Sequence, residues 1–203
     1  MNIGIDFDNT IISYNKLFYE IALSKNLIDK EIPKTKVAVR NFLRGLNKDY
    51  IFTELQAQIY GPLIEKAAIF EGVKEALNLL SRKHTIFIIS HKTKYPYSGE
   101  KYQLRSYADK WLNLHDLNPN NINSPISNVF YEDTIENKIK RIKDLQCSLF
   151  IDDLPNILEL LPKEIYGILF DPENNLFSYK KKFTFRHWSE LNSLINDMQK
   201  IYF

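Results

Sequence analysis

The chain has 203 residues, of which 44% are apolar and 26% charged, a balance that is typical of a globular protein and excludes a disordered tail. A formal net charge of +2 is too small to indicate a nucleic acid or an anionic membrane as a partner, and Cys147, the only cysteine, excludes an internal disulfide. Because no stretch has the length and hydropathy of a signal peptide or a membrane span, we expect a cytoplasmic protein with no membrane partner.

The first predicted element is a short apolar strand, Asn2–Ile5, which ends at the polar cluster Asp6-Phe7-Asp8-Asn9-Thr10. Apolar residues then recur at helical spacing over residues 14–27, from residue 37 to residue 43, and at Phe52, Leu55 and Ile59. No alternating pattern interrupts this region. Residues 15–69 are therefore predicted to form an all-helical insertion after the first strand.

Helices and strands alternate through the rest of the chain. Helices are predicted over residues 73–80, 104–114 and 135–145, the last capped by Thr134, and a closing amphipathic helix runs from Trp188 through Met198. Apolar strands are predicted at residues 85–89, 129–131, 148–151 and 166–170. This alternation predicts an α/β fold with a doubly wound, Rossmann-like parallel sheet.

Polar side chains follow three of these strands. Asp6 and Asp8 follow the first, Ser90 follows the second, and Asp152 with Asp153 follow a later one. In a doubly wound sheet, ligands bind beyond the carboxyl ends of the strands, so we expect these side chains at one site. Four carboxylates there require a hard cation, and oxygen-only ligands suit Mg²⁺.

The spacing of the first two carboxylates indicates that they have different chemical roles. A turn after the strand can splay Asp6 and Asp8, so that one attacks a reacting group while the other moves a proton. Magnesium would let the negative Asp6 approach a phosphate, and Lys138 and Ser90 would hold the phosphate oxygens. Lys140 and Lys143 crowd the same helix, but Lys138 lies nearest its N-terminus, the end expected to face the site.

These residues resemble the haloacid dehalogenase (HAD) superfamily, which carries an apolar strand followed by DxDx[T/V], here DFDNT, and a Ser or Thr after the second strand. A lysine and an acidic pair follow in the same order, here Lys138 and the DD of FIDD. The resemblance implies that Asp6 is the nucleophile, Asp8 the general acid and then base, and Ser90 and Lys138 phosphate ligands.

The resemblance also implies a metal site and neighbouring phosphate contacts. Asp152 is expected to bind Mg²⁺ directly with Asp6 and the backbone carbonyl of Asp8, and Asp153 through water. Asn9, Thr10 and His91 are expected to help bind phosphate. In the insertion, Lys36, Arg40 and Arg44 share one helical face, from which Arg40 and Arg44 are candidate substrate contacts.

By the same resemblance, residues 1–14 and 70–203 form the core domain, and residues 15–69 form a small helical cap of subclass I. The implied activity is hydrolysis of a small phosphate monoester such as a sugar or polyol phosphate. The stretch ISHKT and the segment FIDDLP resemble HAD-like proteins encoded among surface-polysaccharide genes, which suggests a role in precursor synthesis.

Several alternatives remain open from the sequence. Carbon-halogen hydrolases of the family lack the second aspartate of the first motif, so Asp8 favours phosphate chemistry. A phosphomutase keeps both carboxylates, and a non-catalytic protein that binds a phosphorylated ligand or a partner protein could keep the fold. The sequence does not distinguish a monomer from a homodimer.

Overall fold

The structure is a computed structural model that describes residues 1–174 and 183–202. The predicted core domain includes residues 175–182 and 203, which lie outside the described residues. Within the described residues the chain forms eight strands: β1 (Asn2–Ile5), β2 (Ile12–Ser13), β3 (Ala68–Ile69), β4 (Thr85–His91), β5 (Asn128–Glu132), β6 (Cys147–Asp152), β7 (Tyr166–Phe170) and β8 (Thr184–Phe185).

Helices connect these strands. In the described part of the chain they are α1 (Asn15–Ser24), α2 (Lys36–Gly45), α3 (Asp49–Tyr60), α4 (Val73–Ser81), α5 (Leu104–Leu114), α6 (Ile135–Asp144), α7 (Pro155–Glu159) and α8 (Trp188–Tyr202), with a short 3-10 helix at Ile64–Lys66. None of the helices in the described residues is long and apolar enough to cross a membrane.

Six strands form one parallel sheet in the order β5-β4-β1-β6-β7-β8. Ile5, the last residue of β1, pairs with Ile88 of β4 on one side and Ile151 of β6 on the other. The chain therefore winds outward first through β4 and β5, and then in the other direction through β6, β7 and β8. The predicted doubly wound α/β sheet is confirmed, and its winding reverses at β1, where ligand sites form.

Alternate residues of the central strands supply two apolar layers, because successive side chains of a strand point to opposite faces. Ile3, Ile5 and Ile151 belong to the larger layer, which includes residues of α4, α5 and α8. Ile89 and Phe150 belong to the smaller layer with residues of α6 and α7. Helices thus cover both faces of the sheet, which explains why these strands read as continuous apolar runs.

Gly4 lies at the centre of β1, where Phe150 from β6 packs across the backbone. A Cβ atom at residue 4 would lie 2.7 Å from the Phe150 ring, closer than carbon atoms can approach. Glycine at this position therefore makes room for Phe150, and the ring in turn lies 5.2 Å from the ammonium of Lys138.

The chain leaves and re-enters the sheet region through β2 and β3, which pair antiparallel with Ile12 opposite Ile69. Two buried tryptophans fix these crossings from the core side. Trp188 Nε1 donates to the Thr10 carbonyl at 3.2 Å, and Trp111 Nε1 donates to the Ala67 carbonyl at 2.9 Å. Helices α1 to α3 lie between the crossings, so the region predicted as all-helical also contains β3. The domain boundaries stay a prediction.

Other differences from the sequence expectations are local. Helix α1 ends at Ser24 rather than residue 27, because Asn26 adopts a left-handed φ of 54° and the Leu27 N–H turns back to the Ala22 carbonyl at 3.0 Å. Strand β4 continues to His91, so Ser90 lies within it. The five-residue α7 and the two-residue β2, β3 and β8 were not predicted.

Candidate active site

A tight turn after β1 separates the two aspartates of the first motif. Asp6 still belongs to the sheet, since its N–H donates to the Ile151 carbonyl at 2.8 Å. The N–H groups of Ile11 and Ile12 both donate back to the Phe7 carbonyl, and Asn9 adopts a φ of 60°, a left-handed conformation that asparagine tolerates. Asp6 therefore continues the strand and Asp8 lies in the turn, with the buried Phe7 between them in the chain.

Lys138 joins Asp6 to the acidic pair that ends β6. Its Nζ lies 2.6 Å from Asp6 Oδ1 and 2.7 Å from Asp152 Oδ2, and all three side chains are buried. Thr134, the N-cap of α6, accepts from the Asn137 N–H at 3.2 Å and so helps to define the turn that carries Lys138. Of the three lysines that crowd α6, Lys140 and Lys143 are exposed, and Lys140 pairs with Asp144.

Burial and the charges of neighbouring groups shift the pKa values of Asp6 and Lys138. Burial, opposed by Lys138 and reinforced by Asp152 and Asp8, raises the pKa of Asp6 to about 7. Burial would lower the pKa of Lys138, but Asp6 and Asp152 raise it overall, so the ammonium stays charged. The cluster therefore holds one cation against several carboxylates.

Oxygen atoms of Asp6, Asp152 and Asp153 all lie within 4.8 Å of one another. Burial, followed by repulsion from Asp152 and Asp6, raises the pKa of Asp153 well above its usual value. A divalent cation would relieve this repulsion, and carboxylate oxygens at this separation are the donor set that Mg²⁺ accepts. The residues therefore fit a divalent metal.

The two members of the acidic pair differ in how their oxygens are used. Asp152 Oδ2 accepts from Lys138, and its Oδ1 accepts from the Leu154 N–H at 2.9 Å. Asp153 is partly exposed, and its only hydrogen bond with the described residues is a long one of 3.4 Å from Thr10 Oγ1 to Oδ1. Asp153 therefore has the more available carboxylate.

Ser90 presents an unsatisfied hydroxyl at the same edge of the sheet. It is two residues beyond Ile88, the partner of Ile5 in the sheet, and is 1% exposed. Its Oγ has no hydrogen-bond partner among the described residues. Since an unpaired buried hydroxyl is costly, the site is suited to a ligand that supplies the missing partner.

Asp8 is held by two side chains that the sequence analysis did not assign to the site. Tyr14 OH donates to Asp8 Oδ1 at 2.7 Å, and Lys92 Nζ lies 3.0 and 2.9 Å from the two carboxylate oxygens. The Lys92 N–H donates to the Glu132 carbonyl and Arg105 Nε donates to the Lys92 carbonyl, which fixes the backbone there. The sequence signal that could have assigned Lys92 to the site is its position two residues after Ser90.

The remaining predicted phosphate contacts occupy different places. Thr10 is fully buried beside Asp153, and Asn9 lines a cavity of about 200 Å³ that Asp153 and Lys36 also line. His91 is exposed, with Nε2 3.1 Å from the Asp133 carbonyl. His91 lines a second cleft, of about 300 Å³, between α3, the residues after β4 and the start of α5.

The insertion reaches this site through Lys36 and Tyr60 rather than through the two predicted arginines. Lys36 Nζ donates to Tyr60 OH at 2.6 Å, and Tyr60 lines the cleft that contains Asp8. Arg44 is exposed and pairs with Asp49. Arg40 is partly buried and, among the described residues, its Nε has no hydrogen-bond partner. Neither arginine lines the two cavities.

Comparison with known proteins identifies the fold. No family model matches the sequence, and no curated protein is significantly similar to it. Among solved structures, a HAD-like family hydrolase from Streptococcus pneumoniae has 11% identity and a TM-score of 0.60 over 96% of this chain and 97% of its own.

Two further solved structures with a similar fold differ in the descriptions they carry. A protein from Bacillus subtilis described as a HAD-hydrolase and bound to magnesium has 13% identity and a TM-score of 0.55, covering 96% of this chain and 98% of its own. A 2-haloacid dehalogenase from Pseudomonas syringae has 10% identity and a TM-score of 0.52, covering 97% and 98%. The chain therefore has the fold of HAD-superfamily hydrolases, as its motifs predicted, with an acidic cluster at the carboxyl edge of the sheet.

Proposed function

We propose that this chain with a HAD hydrolase fold is a magnesium-dependent phosphatase that hydrolyses a small phosphate monoester through an aspartyl-phosphate on Asp6. The observation that carries the proposal is the second carboxylate, Asp8, which lines the cleft and is held there by Tyr14 and Lys92. Loss of a halide needs no proton, whereas an alkoxide leaving group does. A positioned Asp8 therefore supports phosphate-ester chemistry over dehalogenation.

The metal would be held by Asp6, Asp153 and the backbone carbonyl of Asp8. Asp153 takes the direct position that the sequence analysis gave to Asp152, because both oxygens of Asp152 already accept hydrogen bonds. When bound, Mg²⁺ supplies positive charge that draws phosphate toward Asp6. Asp152 then serves mainly to place Lys138.

The chain's own residues carry the bond changes. An oxygen of Asp6 attacks phosphorus, the bond between phosphorus and the ester oxygen breaks, and Asp8 gives its proton to that oxygen. Asp8 then takes a proton from water as the water attacks phosphorus, which releases phosphate and regenerates Asp6. Lys138 orients Asp6 and its charge is available to a phosphate oxygen, and the unpaired Ser90 hydroxyl is suited to another.

The insertion, residues 15–69, would act as a cap over this chemistry. Support comes from Tyr60, which α3 brings to the cleft beside Asp8, and from Lys36 of α2, which lines the other cavity and donates to Tyr60 OH. The cleft of about 300 Å³ lies at the lower end of the range for small-molecule sites, and the cavity of about 200 Å³ is smaller still. A small phosphorylated metabolite is therefore the proposed partner.

The test is phosphate release from a panel of sugar, polyol and hydroxy-acid phosphates, with Mg²⁺ or with a chelator. Asp6→Asn is the inactive comparison, since it keeps the side-chain shape without a nucleophilic carboxylate. Metal-dependent release that Asp6→Asn abolishes is the expected result. Halide release from 2-haloacids without phosphate release would support a dehalogenase. Transfer of the phosphate to a second hydroxyl would support a mutase. Inertness toward all of these compounds would support a binding protein.

A further inference from the structure

Lys92 is a buried cation that holds Asp8 but forms and breaks no bond in the proposed reaction. It is 3% exposed, and its Nζ lies 4.8 Å from the centre of the Tyr60 ring and 5.6 Å from that of Phe7. An ammonium has three N–H donors, and in the described part of the chain the two oxygens of Asp8 are its hydrogen-bond acceptors. One donor is left for a ligand in the cleft that Lys92 lines.

Lys36 is a second cation, partly exposed, which α2 brings from the insertion to the other cavity. Its Nζ donates to Tyr60 OH and lies 5.3 Å from the same ring, and no carboxylate of the described residues forms an ion pair with it. Burial lowers the pKa of Lys36, but Tyr60, Asp8 and Asp153 raise it overall, so it stays charged. Two ammonium groups thus contact the Tyr60 ring close to Asp8.

The position of Asp8 locates the organic group of the substrate relative to Lys92. The ester oxygen must lie within hydrogen-bond distance of Asp8, about 3 Å, to receive its proton. Lys92 Nζ is 2.9 Å from an oxygen of Asp8. The ester oxygen and Lys92 Nζ are therefore at most about 6–8 Å apart, so a group on the carbon that bears the ester oxygen can reach the ammonium.

Lys36 and Lys92 reduce the excess of negative charge at the site. The carboxylates of Asp6, Asp8, Asp152 and Asp153 and a dianionic phosphate outweigh Lys138 and a divalent cation by about three charges. Lys36 and Lys92 reduce that excess to about one. The two lysines therefore lower the electrostatic cost of a second anionic group on the substrate.

We propose that the substrate carries a second anionic group, a carboxylate or another phosphate, on or next to the carbon that bears the ester oxygen, and that Lys92 and Lys36 bind it. The inference rests on the proposed phosphatase activity and narrows its substrate class. Lys92 and Lys36 are thereby specificity residues, outside the group that makes and breaks bonds.

The test compares esters that differ only in this group. In 2-phosphoglycerate a carboxylate replaces one hydroxymethyl group of glycerol 2-phosphate, and glycerol 1,2-bisphosphate carries a second phosphate instead. With Mg²⁺, the wild type should prefer one of the two doubly anionic esters over glycerol 2-phosphate by about 10- to 100-fold in kcat/KM, the worth of a hydrogen bond to a charged group. Which of the two is preferred identifies the group.

Variants connect the preference to the two lysines. Lys92→Met and Lys36→Met should each reduce the ratio of kcat/KM values, whatever their effect on the absolute rates. Lys94→Met, an exposed lysine of the same segment as Lys92, is the matched control and should keep the ratio. If Lys92→Met does not fold, Lys36→Met and calorimetric affinities of Asp6→Asn for the three esters provide the same comparison.

The outcomes separate this inference from the function on which it rests. Equal kcat/KM for charged and uncharged esters, or a preference that survives in both lysine variants, would overturn the inference and leave the phosphatase intact. Absence of phosphate release from the three esters and from the wider panel would overturn the phosphatase itself, and the inference with it.

Discussion

The ammonium of Lys138 lies 2.6 Å from Asp6 Oδ1 and is almost completely buried, so the chain's first strand is electrostatically tied to α6. Asp152, on the strand next to β1, shares the same cation. Removal of one partner from a buried ion pair leaves an uncompensated charge, which costs far more than loss of an exposed pair.

Lys138→Met should therefore abolish phosphate release and lower the free energy of unfolding by about 3 kcal/mol. Lys140→Met, two residues further along the same helix, removes only an exposed pair with Asp144 and should change neither activity nor stability measurably. Urea denaturation and phosphate assays of both variants provide the measurement. Similar effects of the two substitutions would show that Lys138 has no special role.

The pH dependence of magnesium binding follows from the pKa of Asp6, which is about 7 in the folded protein against the usual 3.8. Between these values the native state binds a proton that the unfolded state releases, so the stability of the metal-free protein should fall as pH rises through this window. Mg²⁺ must displace that proton, and the pKa of Asp153 is raised as well, so the affinity should rise by at least about tenfold per pH unit below pH 7.

Calorimetric titration with Mg²⁺ between pH 5.5 and 8, in buffers of different ionisation enthalpy, measures both the affinity and the proton released. Asp6→Asn has no such proton and should show a flatter dependence. An affinity in the wild type that does not change between pH 5.5 and 7 would contradict the assignment of Asp6 as a metal ligand with a raised pKa.

Substitutions of Asp152 and Asp153 should have different effects, the first mainly on stability and the second mainly on Mg²⁺ affinity. Asp153→Asn should weaken the affinity for Mg²⁺ by at least about tenfold with little change in stability. Asp152→Asn weakens the buried ion pair with Lys138, which keeps Asp6 as its partner, and should instead lower the free energy of unfolding by about 1.5–3 kcal/mol. Thermal denaturation and magnesium titration of both variants test this, and the reverse pattern would restore Asp152 as the direct ligand.

Asp8→Asn should slow the first chemical step in proportion to how much the leaving group needs a proton. For an alkyl ester such as glycerol 2-phosphate the loss should be about 10²- to 10⁴-fold, the usual worth of a general acid. The burst of p-nitrophenolate from p-nitrophenyl phosphate should be much less affected, because that anion leaves unprotonated. Stopped-flow single turnovers measure both, and equal slowing would exclude Asp8 as the acid.

Gly4→Ala should test the packing beneath the site. The added Cβ would lie 2.7 Å from the Phe150 ring, so the ring must move, at a cost of about 1–3 kcal/mol. Gly45→Ala is the matched control, because a Cβ there has no atom within 4 Å and should stabilise α2 by about 0.5–1 kcal/mol. Urea midpoints should move in opposite directions, and equal midpoints would show that the β1–β6 packing tolerates a side chain.

Much of this arrangement was predictable because the strands are continuous apolar runs that stop at polar residues. Asp6, Ser90 and Asp152 could be placed at one edge of a parallel sheet from that pattern alone. Lys138 could be chosen among three lysines by its place near the helix N-terminus, and it is the buried one of the three.

The rest depends on contacts between distant segments, which no local pattern records. Lys36 shares a helical face with Arg40 and Arg44, a charged face of the kind that is usually solvated, and only the packing of α2 against its neighbours brings it to Tyr60. Lys92 reaches Asp8 from 84 residues away. The two-residue β2, β3 and β8 are too short to leave a periodic signal, whereas Pro155 at the start of α7 is a helix-start signal in the sequence.

The pairing of Ile12 with Ile69 gives the molecule a modular organisation. Since the two crossings lie side by side, and Trp188 and Trp111 anchor each from the core, a short connection that keeps Tyr14 could join them without displacing Asp6 or Asp8. Evolution or design could therefore exchange the intervening helices for a segment of another size. Such an exchange would leave the bond-breaking groups in place and change the molecules admitted to them.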